Sequence, residues 1–244
     1  MTAAPPLPQA LAQSWPSARS FALGPFTIHS GMGGGKRVSA GSLIQTPWRA
    51  DDLMAAEGAM RDLGQTPLFV IWPDRPAQGA FDQALAQRGY DMVDPCIGYI
   101  APIAEILSQS VDISTTYPTW PPLAICDDLW QSAGITAARR AVMARAQDAK
   151  TAILVRCGDD PAGVCFAALV GKTAMLHAIE VMPQHRRQGS AQKLIHRAAI
   201  WAQQQGAVNL GLVVTVSNTP ARALYAKMGM QVWGTYHYRQ LQQE

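Results

Sequence analysis

The chain has 244 residues, of which 48% are hydrophobic and 15% charged, a balance that excludes a disordered polymer and allows one large domain or two small ones. The formal net charge of +3 is small and the basic residues are dispersed, so non-specific nucleic-acid binding is not expected. The opening MTAAPPLPQALAQSWP has neither a basic n-region nor a continuous apolar h-region, and no later run reaches transmembrane length; a cytoplasmic location away from membranes is expected.

Residues 1–20 are rich in Pro and Ala without periodicity, which predicts a tail or a strap over the surface. Phe26-Thr27-Ile28 and Val38-Ser39-Ala40 flank the run Gly31 to Arg37 and predict two strands joined by a glycine-rich turn. Arg49 to Leu63 carries Leu53, Ala56, Met60 and Leu63 at helical spacing. A buried strand is expected at Pro67 to Trp72, a helix at Ala77 to Gln87 stopped by Gly89, and a strand at Cys96 to Ile103.

The Ser/Thr/Pro stretch 108–122 is the best boundary. It divides an accessory lobe at 21–107 from a second domain at 123–244. That second series runs from a helix at Thr136 to Ala149 through strands at Ala152 to Arg156, Gly163 to Val170 and Ala174 to Val181. A helix at Ser190 to Gln205, a strand at Leu210 to Val216, a short helix at Pro220 to Met228 and a strand at Gln231 to Tyr238 follow. The mixture without strict alternation predicts an α/β fold built on a mixed sheet.

Chemistry concentrates between Val181 and Ala191, VMPQHRRQGSA, where a strand ends at a proline and a helix begins at small residues. Turn and first-turn N–H groups converge at such a point, and the helix dipole adds partial positive charge, so the segment suits an anion. Gly189 permits close approach of a phosphate, and Arg186 and Arg187 add charge. A plain strand-to-helix turn with two solvated arginines is the competing reading.

V-x-P followed by R-x-x-G-x-A and an amphipathic helix resembles the coenzyme A loop of the GNAT superfamily of acyl-CoA N-acyltransferases. A second landmark is similar too: Asn218 to Met230, NTPARALYAKMGM, matches N-x-x-A-x-x-L-Y-x-x-x-G-[FM]. Arg187 stands where many members have glycine, and Gln188 and Ser190 occupy variable positions. The resemblance spans roughly residues 130 to 240.

The resemblance implies that the backbone at Ile179 to Val181 pairs with the pantetheine arm and that Arg186, Arg187, Gln188, Gly189, Ser190 and Ala191 hold the pyrophosphate. Asn218 would hydrogen-bond the pantetheine, although Asn two residues before Pro220 is a good helix cap in any protein. Tyr225 would be the general acid for the departing thiolate. The Val181 amide would polarise the thioester carbonyl. Glu180 is the preferred base, with His177 or a water chain as alternatives. Glu180 and His177 differ by three positions, so a regular strand sends them to opposite faces unless a bulge intervenes.

The implied activity is direct acetyl transfer from acetyl-CoA to a primary amine of a small molecule, amino acid or peptide, with no metal. A non-catalytic acyl-CoA-binding scaffold and an aminoacyl- or peptide-modifying acyltransferase are the alternatives. No motif speaks to oligomeric state.

Four further features stand outside this pattern. Gly31 to Arg37 lacks the first glycine of a phosphate loop (Ser30) and the Ser or Thr after the lysine (Arg37), so a tight turn is expected. Cys96, Cys126, Cys157 and Cys165 are scattered, predicting reduced and mostly buried thiols. Trp72 to Tyr90 resembles Asn218 to Met230 in layout, so the first half is read as a degenerate GNAT-like copy or an accessory lobe. Trp120, Trp130, Asp127 and Asp128 are candidates for the acceptor side or for plain packing and a solvated turn.

Overall fold

The computed structural model describes residues 4–242. The predicted tail is instead a helix, α1 (Leu7–Ser14), whose Leu7, Ala10, Leu11 and Ser14 are buried; residues 1–3 of that stretch lie outside the described residues. Its buried positions recur at 7, 10, 11 and 14, a helical stripe of three apolar residues and one serine that the neighbouring prolines obscure. Strands β1 (Arg19–Leu23) and β2 (Phe26–Ser30) form a hairpin. The glycine run then enters a helical turn, α2 (Lys36–Ser39), where a strand was expected, and β3 (Ser42–Leu43) completes a three-stranded sheet.

The expected helix and strand pairs follow as α3 (Ala50–Asp62), β4 (Leu68–Ile71), α4 (Gln78–Gln87) and β5 (Tyr90–Pro102). After α5 (Ile103–Leu107), the stretch predicted as a linker contains strand β6 (Thr116–Thr119), paired with β7. Helix α6 (Ala124–Ser132), which carries Trp130 into the core, has no counterpart in the sequence reading, and α7 (Ala137–Arg145) ends earlier than expected. The remainder is β7 (Lys150–Cys157), β8 (Asp160–Val170), β9 (Thr173–Val181), α8 (Ser190–Gln204), β10 (Asn209–Thr215), α9 (Thr219–Lys227) and β11 (Gln231–Leu241).

Eight strands form one mixed sheet in the order β4-β11-β5-β10-β9-β8-β7-β6. The two halves exchange their last strands. β5, which follows β4 and α4, pairs with β10, while β11, which follows β10 and α9, pairs with β4; the two exchanged strands pair with each other. The sheet is therefore continuous across the predicted boundary.

Helices α5, α8 and α9 bury one sheet face in a core that includes Leu176, Leu194, Leu212 and Tyr225. Helices α6 and α7 cover the other face around Trp130, Val164 and Phe166, and α1 seals its centre with Leu7 and Leu11 against Met175 and Tyr236. A fourth cluster, with Phe26, Phe69 and Phe81 in mutual ring contact, holds the small sheet on α3, α4 and β4.

Candidate active site

β9 and β10 run parallel and pair only from Thr173↔Asn209 to Leu176↔Leu212. Beyond that point β9 continues to Val181 on β8 alone, which opens a wedge at the centre of the sheet. The Met182 N–H donates to the Ala162 carbonyl on the β8 side. Successive residues of a strand send their N–H groups to opposite edges, so the Val181 N–H faces the wedge.

A bulge shapes this stretch of β9. Val164 pairs with Glu180 and Phe166 with His177, so two steps on β8 match three on β9. The extra residue brings His177 and Glu180 to the same face, which a regular strand would forbid. Ala178 takes φ +49° at the bulge, and the Trp130 indole Nε1 donates to its carbonyl at 2.9 Å. Trp130 is fully buried, so its role here is to brace the bulge.

The loop after β9 makes one 3-10 turn, Pro183–His185, and then takes two left-handed residues, Arg187 (φ +62°) and Gly189 (φ +83°), before α8. No side chain caps α8, and a Cβ at Gly189 would meet nothing within 4 Å. The first-turn amides thus have no side-chain acceptor, and the space beside Gly189 at the positive end of the helix dipole is open, an arrangement that fits a diphosphate. Arg186, Arg187, Gln188 and Gly189 are exposed, while Ser190 is buried and Ala191 half-buried. Arg186 Nε donates to the Val181 carbonyl at 3.2 Å, and Gln188 Nε2 to the Gln184 carbonyl at 3.1 Å; both side chains brace the loop.

Across the wedge, Asn218 caps α9, its side chain accepting from the Ala221 N–H at 3.2 Å. Tyr225 is 6% exposed, packs its ring 5.7 Å from that of Tyr99, and has no hydrogen bond from its hydroxyl to another described residue. Burial, with Cys165, Glu180 and Tyr99 nearby, pushes its phenol up to about 12, so it stays protonated. Burial also raises the Glu180 carboxyl, an effect that Arg139 and Arg186 oppose. Ile179 and Val181 pack toward the α8 side of the sheet.

His177 is 4% exposed and hydrogen-bonded at both nitrogens, Nδ1 to Arg37 at 3.1 Å and Nε2 to Ser14 Oγ at 2.8 Å. Burial and Arg37 hold its pKa well below the usual imidazole range. Neither nitrogen is free to take a proton from an acceptor. Arg37 and Ser14 were invisible to motif reading; Arg37 belongs to the glycine run, read only as a turn. That turn packs on α7, and a Cβ at Gly34 would come within 2.7 Å of the Val142 side chain, so glycine there lets the segment close and carries Arg37 to β9.

Among the other candidates, Asp128 is exposed on α6. Asp127 pairs with Arg140 at 3.1 Å, and Trp120 packs on Phe166 beneath the Lys150 ammonium. Cys96, Cys126 and Cys165 are buried, and Cys157 is exposed. Among the described residues no group of three or more His, Cys, Asp or Glu is placed to hold a metal ion, and no helix is long and apolar enough to cross a membrane.

The model of the acetyltransferase (GNAT) family matches residues 116–230. The chain is similar to the uncharacterized N-acetyltransferase YobR of Bacillus subtilis (strain 168), 26% identical over 235 residues, or 93% of this chain and 94% of that protein. It is also similar to streptothricin acetyltransferase of Streptomyces lavendulae, 36% identical over 91 residues, covering 36% of this chain and 47% of the relative. A solved GCN5-related N-acetyltransferase from Kribbella flavida shares the fold with a TM-score of 0.70 at 15% identity, covering 98% of this chain and 95% of its own. That likeness in fold runs through both halves, the first included. The chain thus carries, over residues 116–230, an acetyltransferase domain of the GNAT family.

Proposed function

We propose that the protein transfers an acetyl group from acetyl-CoA to a primary amine of a small molecule, amino acid or peptide by direct attack. The observation that supports this most is the meeting of three features at one wedge: the uncapped, left-handed loop at 186–191, the inward-facing Val181 N–H, and the protonated Tyr225 phenol near Glu180.

In this reading the backbone amides of Gly189, Ser190 and Ala191, with Arg186, Arg187 and Gln188 around them, hold the diphosphate. The edges of Ile179 and Val181 accept the pantetheine arm as an added strand, and Asn218 lies at the opposite wall. The bound thioester supplies an activated carbonyl. The Val181 N–H is fixed before the reaction begins, so it stabilises charge on that oxygen without reorganisation. Glu180 takes the proton of the amine, directly or through water, and Tyr225 donates its phenolic proton to the leaving sulfur. With His177 engaged at both nitrogens, Glu180 is the better-placed base. Alignment of both reactants in the wedge contributes alongside these groups.

The test is release of coenzyme A thiol from acetyl-CoA over a panel of amines, amino acids and peptides, at matched enzyme concentration. Amine-dependent thiol release with N-acetylated product supports the reading. Saturable acetyl-CoA binding with no acceptor-dependent release across the panel would favour the scaffold alternative.

A further inference from the structure

A second cleft, of about 500 Å³, opens between α1, the three-stranded sheet and the β4–β11 edge. Its lining includes neither Glu180 nor Tyr225 nor any residue of the 186–191 loop, so it is separate from the wedge. Volume alone places it within the range of small-molecule sites.

Its polar groups are unbalanced. Arg37 and Arg75 line it, and no Asp or Glu does. Arg37 forms no ion pair with any described carboxylate, and its Nε is buried without a hydrogen-bond partner. The Tyr236 hydroxyl, on a side chain only 2% exposed, is likewise buried and short of a well-formed hydrogen bond, with Arg37, Cys96 and Tyr238 as its polar neighbours. Arg37 and Tyr236 are close enough to interact electrostatically. A guanidinium and a phenol left in this way cost free energy unless something accepts from them.

The walls around these two donors are flat and apolar. Trp15 contacts the His177 ring that Arg37 holds, and Trp72 lies 4.8 Å from the Tyr236 ring, with Arg75 over its outer face at 5.9 Å. Leu43 and Val70 add aliphatic surface. His177 engages Nη1 of the Arg37 guanidinium and leaves its Nε, near the Tyr236 phenol, without an acceptor. The guanidinium and the phenol side by side present donors to the two oxygens of a carboxylate.

We propose that this cleft binds a small carboxylate with a flat apolar body, its carboxylate on Arg37 and Tyr236 and its ring against Trp15 and Trp72. The inference rests on the cleft alone and stands whether or not the wedge transfers acetyl groups.

The experiment titrates the full-length protein with 1-naphthoate, 1-naphthamide and 1-naphthyl phosphate by calorimetry, with tryptophan fluorescence as a second readout. The expected result is one saturable 1-naphthoate site, with the amide about tenfold or more weaker and the phosphate no tighter than the carboxylate. Arg37→Met should remove the preference for the acid over the amide. Tyr236→Phe, which keeps ring packing and so guards against misfolding of the first variant, should weaken 1-naphthoate about fivefold and leave the amide unchanged. Gly189→Glu should leave all three affinities unchanged. Equal binding of acid and amide, tighter binding of the phosphate, a preference that survives both cleft variants, or no saturable 1-naphthoate binding would overturn the proposal.

Discussion

Arg37 Nη1 donates to His177 Nδ1 at 3.1 Å, joining the glycine turn of the first half to the bulged strand of the second. A guanidinium has no acceptor, so Nδ1 accepts and the imidazole proton resides on Nε2. Nε2 therefore donates to Ser14 Oγ at 2.8 Å, and the serine hydroxyl donates onward to the Ala10 carbonyl at 2.7 Å. This directed chain fixes a neutral imidazole and ties α1 to the site.

A pH dependence of stability follows. The folded pKa of His177 lies below its unfolded value near 6.5, so the unfolded chain binds the extra proton first. The contribution is complete above pH 6.5 and is lost as pH falls toward the folded value, with a slope of up to about 1.4 kcal/mol per pH unit for one proton. His29 and His196, also lowered by burial, act in the same sense. Denaturant melts between pH 7.5 and 5.5 should show falling stability in the wild type and a shallower fall in His177→Asn. Equal slopes would show that this ring does not carry the effect.

The strand exchange predicts that neither half folds alone. A fragment of residues 1–107 keeps β5 without its partners β10 and β11, and a fragment of residues 123–244 keeps β10 and β11 with β5 missing between them. Each would expose long unpaired edges. Separately expressed halves should lack dispersed amide spectra or aggregate, and co-expression should restore a folded complex. Well-dispersed spectra from either fragment alone would contradict the shared sheet.

Arg187 adopts φ +62°, a left-handed conformation that costs an L-residue about 1–2 kcal/mol. Arg187→Gly removes that strain, partly offset by the greater freedom of glycine in the unfolded chain. A net gain of about 0.5–1 kcal/mol in chemical denaturation is expected, together with weaker acetyl-CoA binding that is less salt-dependent. Lower stability with unchanged affinity would show that the arginine is held by contacts other than those described.

Tyr225→Phe keeps the buried ring and its contact with Tyr99 while removing the proposed acid. Turnover should fall about 10²-fold or more, with little change in acetyl-CoA affinity or melting temperature. Unchanged kcat would reduce Tyr225 to packing.

Much of the second half was legible because its signals are local. The strand ending at Val181, the turn around Gly189 and the Asn218–Pro220 helix start each follow from adjacent residues, and the structure has an element at each place. The position of β5 between β10 and β11 was not legible, because pairing of strands more than a hundred residues apart leaves no trace in local periodicity. Helix α1 was hidden by the prolines at 5, 6 and 8, although Pro8 lies in the first turn, where a missing N–H costs nothing. The bulge at Ala178 was also hidden: its left-handed alanine is held by Trp130, forty-eight positions earlier. The bulge that this contact braces puts His177 and Glu180 on one face.

The central claim is that the loop from Val181 to Ala191 holds the diphosphate of acetyl-CoA. Calorimetric titration of acetyl-CoA into wild type and Gly189→Glu tests it most directly, because a side chain at 189 projects into open space and places a carboxylate where the diphosphate would lie. The account predicts saturable binding by the wild type and at least about a hundredfold weaker binding by the variant, whose strained left-handed position lowers its melting temperature only modestly. Wild-type affinity in a folded Gly189→Glu protein would contradict the account and place the coenzyme elsewhere.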